Sequence, residues 1–289
     1  MKGWLVRVIS ETFLIGWRNW SLGRADLKGA ALTAATVGLA DMGGRLFAYS
    51  HALDSAEYGS FFMALANSAA GAMLIAAIYL AAEPFVRRHW PEVLISWLRL
   101  LNGGFRDPLV GRHVLIGFAT AAWVGVISLF QLARHPFSRE IGSLGWLSGT
   151  ARAIAQLLYS YSAAVSPAFF VLLPVLLLYV LLRRRILAAI IVGVMFTVIL
   201  SLGSVDPVFT TAEIAIGATA ILVLLLRCGF LAMVAQFFWQ SIAGSLIWTL
   251  DSQAWYFGYA VLGMAVLLTL SVLAFRFALA GHPLWKEHP

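Results

Sequence analysis

Long stretches of this chain hold no charged residue at all, and Ile186 to Leu202 and Ala260 to Phe275 each approach the roughly 20 residues that a helix needs to cross a bilayer. Lipid offers backbone N–H and C=O groups no partner, so a segment of this kind must satisfy them internally. It does so as a helix, or as one strand of a closed barrel. A barrel strand alternates apolar and polar side chains, and these blocks are apolar without alternation, which excludes the barrel. The expected fold is therefore all-α, a polytopic bundle of transmembrane helices. Composition agrees: 61% of the 289 residues are hydrophobic and 11% charged, against about 25% charged in a soluble domain.

Apolar blocks and their polar borders place candidate spans at 29–50, 59–82, 112–133, 154–182, 186–203, 213–227, 230–250 and 255–277. The sixth and seventh meet at Arg227-Cys228-Gly229, as a tight hairpin or a re-entrant pair. The net charge of +7 would suggest nucleic acid in a soluble chain. Here the basic residues sit in short segments between apolar blocks, where they set topology, so no nucleic-acid partner is expected. With eight spans, Arg134, Arg139 and Arg152 fall on one side and Arg45 inside a span, while all the rest of the 20 basic residues fall on the other side. That side is the cytoplasm by the positive-inside rule, and it receives both termini. Asp54, Glu57, Asp206, Glu213 and Asp251 then face outward. Arg7 and Glu11 interrupt the first apolar run, so no cleaved signal is expected. The organisation is a cytoplasmic segment at 1–28, a membrane domain at 29–279 and a cytoplasmic tail at 280–289. The single cysteine, Cys228, excludes an intrachain disulfide.

Two non-spanning stretches have a character of their own. Over 91–101, Val93, Leu94, Trp97, Leu98 and Leu101 share one helical face, and Glu92, Ser96 and Arg99 another, before Asn102-Gly103-Gly104 ends the pattern. This predicts an amphipathic helix lying in the cytoplasmic interface. The loop from His135 to Arg152, with Pro136 and Trp146, is the longest on the outer side. No repeat of fixed period is present, which weakens an inverted-repeat transporter reading.

Chemistry inside a membrane needs titratable or ligating groups within the helices. The histidines His51, His89, His113, His135, His282 and His288 all lie at span borders or in loops, with no His-Glu-x-x-His pair, so no metal, haem or other cofactor is expected. Asp41 and Arg45, spaced i to i+4 in the first span, form either an intramembrane switch or a structural pair whose arginine snorkels to the outer interface. Gln236 and Gln240, followed by Ser241 and Ser245, make a polar stripe that must face protein or water. Asn67 with Ser68, and Gln156, Tyr159 to Ser162 and Ser166, read the same way, as interhelical hydrogen bonding or as the lining of a polar cavity. Pro167 and Pro174 in the fourth span predict a bent, partly unwound helix.

Several blocks resemble the membrane-embedded C-terminal region of certain large bacterial serine/threonine protein kinases. They are Arg18-Asn19-Trp20-Ser21-Leu22-Gly23-Arg24-Ala25-Asp26, Glu83-Pro84-Phe85-Val86-Arg87-Arg88, Leu94-Ile95-Ser96-Trp97-Leu98-Arg99 and Arg106-Asp107-Pro108-Leu109-Val110-Gly111-Arg112. Ala254-Trp255-Tyr256 and Ala280-Gly281-His282-Pro283-Leu284 complete the resemblance, which runs from about residue 13 to 285. It implies a cytoplasmic kinase domain ahead of the membrane region, in agreement with the cytoplasmic N-terminus read from the arginines. The chain departs from the family in lacking a Gly-rich loop, a Val-Ala-Ile-Lys strand, a His-Arg-Asp loop and an Asp-Phe-Gly, so no ATP site is carried over.

The cytoplasmic motifs also read without the family. Glu83-Pro84 ends the second span, Arg87 and Arg88 anchor it at anionic headgroups, and Arg106-Asp107-Pro108 turns the chain into the third span. With Trp97 and Arg99, these residues make either a topological anchor or a surface for a cytoplasmic partner. The function expected is a non-catalytic membrane anchor or sensor in the bacterial inner membrane, its partners being lipid and a cytoplasmic kinase domain or other signalling protein. The alternative is a small-molecule transporter.

Overall fold

The computed structural model describes residues 26–49, 56–134, 144–202, 207–246 and 251–280, with Thr12, Leu14, Gly16, Trp17, Arg18, Ser21 and Thr249. Among them the regular structure is helical throughout. The elements are α1 (Leu27–Ala48), α2 (Ala56–His89), α3 (Glu92–Leu101), α4 (Pro108–Arg134), a 3-10 turn (Leu144–Leu147), α5 (Thr150–Leu182), α6 (Arg185–Ser201), α7 (Pro207–Arg227), α8 (Phe230–Ser245) and α9 (Phe257–Ala278). The apolar blocks thus correspond to helices, with borders displaced by a few residues. Five are long and apolar enough to cross a membrane: Glu57–His89, Pro108–Leu129, Thr150–Leu182, Val208–Arg227 and Phe257–Ala278. The other three fall outside that set for identifiable reasons. Helix α1 carries Lys28, Asp41 and Arg45, while α6 and α8 have only 17 and 16 residues.

Two expectations about proline are corrected. Helix α5 runs without a break from Thr150 to Leu182 with both Pro167 and Pro174 inside it, so it is not partly unwound. Likewise Pro84 does not end the second span, since α2 continues through it to His89. Proline removes one N–H and crowds the preceding turn, but the turns on either side keep their own hydrogen bonds, and in a long apolar helix these hold the element together. At 1.5 Å per residue the 34 residues of α2 span about 51 Å, well beyond a hydrocarbon core of about 30 Å.

The chain divides into two compact units, 1–91 with 143–176, and 92–142 with 177–289, a division that the run of apolar blocks does not announce. In the first unit α1 and α2 are antiparallel. Near one end Asp26 lies by Tyr79, and further along Gly38 faces Ala72 and Asp41 meets Ser68. Asp26 caps α1 by accepting the Gly29 N–H at 3.0 Å. Helix α5 completes the unit, with the Tyr159 ring against Gly44, Tyr161 donating to Thr36 at 3.0 Å, and Phe169 edge-on to Tyr79. Ala77, Ala81, Ala82, Ala164 and Ala168 are buried there. Small side chains of this kind let helix backbones approach closely, which is how helices pack where lipid supplies no hydrophobic drive.

In the second unit α8 is the buried element, its first seven residues, Phe230 to Gln236, all lying inside. It packs on α4, where Gly117 sits so close to the Ala232 carbonyl and the Ala235 side chain that a Cβ would collide with both. Phe118 stacks on Phe238 at 6.4 Å. Gly111, near the start of α4, meets Ala274 and Ala278 near the end of α9 in the same intimate way. Between α7 and α8 the chain turns at Gly229, whose φ of 87° favours glycine and whose N–H bonds the Leu224 carbonyl at the end of α7. The two segments are therefore joined as a helix–turn–helix.

Candidate functional site

Polar side chains in an apolar bundle are the places where chemistry or signalling can occur, because each must find a partner or remain at a cost. In the first unit the Asp41–Arg45 pair forms, with Arg45 Nε 2.8 Å from Asp41 Oδ2. Its third member comes from α2, where Ser68 Oγ donates to the same carboxylate oxygen at 2.6 Å. The pair is thus a link between two helices as well as a bridge along one. Asn67, the neighbour of Ser68, is exposed on the outer side of α2 and does not join it.

A second cluster joins the other end of the same two helices. Glu83 is buried at 2% exposure, accepts Arg87 at 2.7 Å and takes the Asp26 backbone N–H at 3.3 Å. Tyr79 donates to the Asp26 carboxylate at 3.4 Å. Asp26 and Glu83 belong to two of the separate blocks that carry the family resemblance, and here they meet across 57 residues of sequence. Arg87 is engaged by Glu83, while Arg88 is exposed.

In the second unit α3 is amphipathic as expected, but its apolar face does not lie toward lipid. Trp97 is fully buried and meets the Phe230 ring edge-on at 5.3 Å, and Val93 lies against Gly229. Trp97 is therefore a packing anchor for α8, not a surface residue. Ser96, assigned by periodicity to the polar face, is also buried, and its Oγ lies 2.9 Å from Nδ1 of His113 on α4. Arg99 binds Asp107 at 2.8 Å, and Asp107 accepts the Leu109 N–H at 2.8 Å, capping α4. Partial burial works against the charged form of Asp107, but the bonds from Leu109, Arg99 and Val110 outweigh it and hold the carboxyl below its ordinary range. Arg106 is exposed beside it.

Of the polar stripe on α8, Gln236 is fully buried, and neither its amide nitrogen nor its amide oxygen has a partner among the described residues. Gln240, one turn on, lines a groove of about 520 Å³ between α4 and α8 with Ser128, Trp239, Ala121 and Gly125. Ser128 also donates to Glu213 on α7. Glu213 is thus tied to α4, and Asp251 closes a local turn by accepting the Gln253 N–H at 2.9 Å. Cys228 is half-buried. Burial pushes its thiol up and the charge of Arg112 draws it back.

Of the other residues singled out by sequence, His51, His135, His282, His288, Asp54, Asp206, Arg139 and most of the first 25 residues lie outside the described part. Among the described residues no three His, Cys, Asp or Glu come together in a way that could hold a metal ion. No family model matches the chain, and neither the curated proteins nor the solved structures contain a match.

Proposed function

We propose that this chain is a non-catalytic, multi-pass domain of the bacterial cytoplasmic membrane, with eight spans and both termini inside. In this reading it anchors, or senses for, a cytoplasmic serine/threonine kinase domain or another signalling protein. The observation that carries the reading is the Asp26–Glu83–Arg87 cluster. Motif residues far apart in sequence meet in a polar network around the buried Glu83 at one end of α1 and α2, next to the N-terminal segment that would connect to a cytoplasmic partner. Arg99 with Asp107 and Ser96 with His113 make comparable links in the second unit. A multiply bonded network centred on a buried carboxylate has few alternative arrangements, which suits it to passing a change in helix packing onward. The test is affinity purification of the tagged chain from its native membrane, with reporter fusions at both termini. A kinase that co-purifies, with both termini reporting the cytoplasm, is the expected result. A chain that carries neither a kinase nor another signalling protein, or a terminus that reports outside, sinks the reading.

A small-molecule transporter is the second reading, and the groove beside Gln240 favours it. In a Cys228→Ser background, Gln240→Cys should react with a membrane-impermeant thiol reagent if the groove is a water-filled path. Complete protection identifies a lipid-filled groove and removes the transporter reading.

A further inference from the structure

Besides the side that packs on α1, helix α2 has a side that the described residues leave open. Gly59, Met63, Ala66, Asn67, Ala70 and Gly71 recur there at helical spacing and are exposed. A Cβ added at Gly59 or Gly71 would meet nothing within 4 Å. Asn67 is the one polar side chain among these six. Hydroxyls in the long apolar helices turn back on the carbonyl one turn earlier, as those of Thr120, Thr219 and Ser271 do. The Asn67 amide makes no hydrogen bond among the described residues, although its neighbour Ser68 bonds Asp41.

Its depth makes this costly. Glu57 and Glu83 bound the apolar stretch of α2, and at 1.5 Å per residue Asn67 stands about 15 Å from the first and about 24 Å from the second. The two carboxylates are then about 39 Å apart, some 9 Å more than a hydrocarbon core of about 30 Å, so Asn67 lies in hydrocarbon wherever the core falls between them. Lipid tails offer an amide no partner, and an asparagine is too short to snorkel to the headgroups as lysine and arginine do. The amide needs a partner from outside the chain.

A second copy supplies one by symmetry. Copies of a membrane chain are inserted in the same orientation, so each carries Asn67 at the same depth. Two copies that meet on this side of α2, about an axis normal to the bilayer, bring Asn67 opposite Asn67. A carboxamide holds both donors and an acceptor, so two such groups satisfy each other. Ala66, Ala70 and Gly71 are small enough to let the two backbones approach to that distance. We propose that two copies of this chain associate through α2, with the Asn67 amides bonded to each other across the contact. This goes beyond the anchor or sensor reading and does not rest on it.

The test uses the full chain in phosphatidylcholine vesicles. In a Cys228→Ser background, Ala70→Cys should give a disulfide-linked dimer on mild oxidation, and Leu65→Cys, exposed on a different side of α2 at nearly the same depth, should give little. Energy transfer between terminally labelled populations measures the affinity. Asn67→Leu should weaken association about tenfold, since two hydrogen bonds between membrane helices contribute about threefold each. In dilute detergent the copies separate and the stability of the single chain is independent of Asn67, so association is read in the bilayer. Equal cross-linking at positions 65 and 70, or an unchanged affinity in Asn67→Leu, overturns the contact. Absence of a dimer in the vesicles overturns it as well, whatever position 70 cross-links to in native membranes.

Discussion

At the scale of single residues, the structure separates polar groups that are satisfied from one that is not. Asp41 holds two donors on different helices, so Asp41→Ala leaves Arg45 and Ser68 without an acceptor. A loss of about 1–3 kcal/mol is expected, read as a lower midpoint of thermal unfolding in detergent, with Asn67→Ala leaving that midpoint unchanged. Gln236 presents the opposite case. Its amide has no partner among the described residues, so Gln236→Leu should keep or raise the unfolding midpoint, because replacing an unpaired buried amide by an apolar group of similar size removes a cost. A clear fall in midpoint would mean that the amide is bonded to water or to a ligand. Asp107 carries a pH dependence whose sign is fixed. Its carboxyl is held below the ordinary range, so its contribution to stability is present above the unfolded value and is lost as the pH falls through the lower, folded one. Asp107→Asn should therefore flatten the acid side of the stability profile and leave the neutral side parallel to that of the native chain.

At the scale of elements, hydropathy reveals the helices but not their partners. Blocks of apolar residues mark α1, α2 and α4 to α9 to within a few residues, because lipid imposes helical backbone on any such block. The identity of the contacting side chains depends on the rotation and register of two helices, which one-dimensional periodicity does not contain. Asn67 and Ser68 are indistinguishable as polar residues in an apolar span, yet only Ser68 faces α1. Ser96 looked solvent-facing on a helix expected to lie alone in the interface, and it is buried because α3 packs against α8 and α4. The union of Asp26 with Glu83 had no local signal at all. Small residues were the one sign of close approach that could have been used. Gly117 and Gly111 mark where α4 meets α8 and α9. Gly117→Leu should abolish a stable, monodisperse protein in detergent, whereas Gly125→Ala, on the same helix with open space at its Cβ, should behave as native.

At the scale of the whole molecule, composition and five long apolar helices converge on a membrane protein. Five candidate spans rest on length and composition, and the proposed count of eight adds α1, α6 and α8. The proposed eight-span topology would put Arg88 and Arg106 inside and Asp251 outside. In a Cys228→Ser background, single cysteines at the first two positions should react with a membrane-impermeant reagent only after the membrane is opened, and a cysteine at Asp251 should react in intact cells. An odd number of spans would reverse one of these results.

The shortness of α8 bears on how the protein is made. Its 16 residues reach about 24 Å, less than the hydrocarbon thickness, and half of them are hidden by neighbours. Such a segment is poorly suited to resting alone in lipid as it leaves the translocon. Helix α4, which covers it, is synthesised earlier and would already be in the membrane, so α8 can dock as it emerges. Delayed synthesis or weakened packing of α4 would then expose α8 to quality-control proteases before α9 is complete. Helix order in the gene thus acts as an assembly schedule.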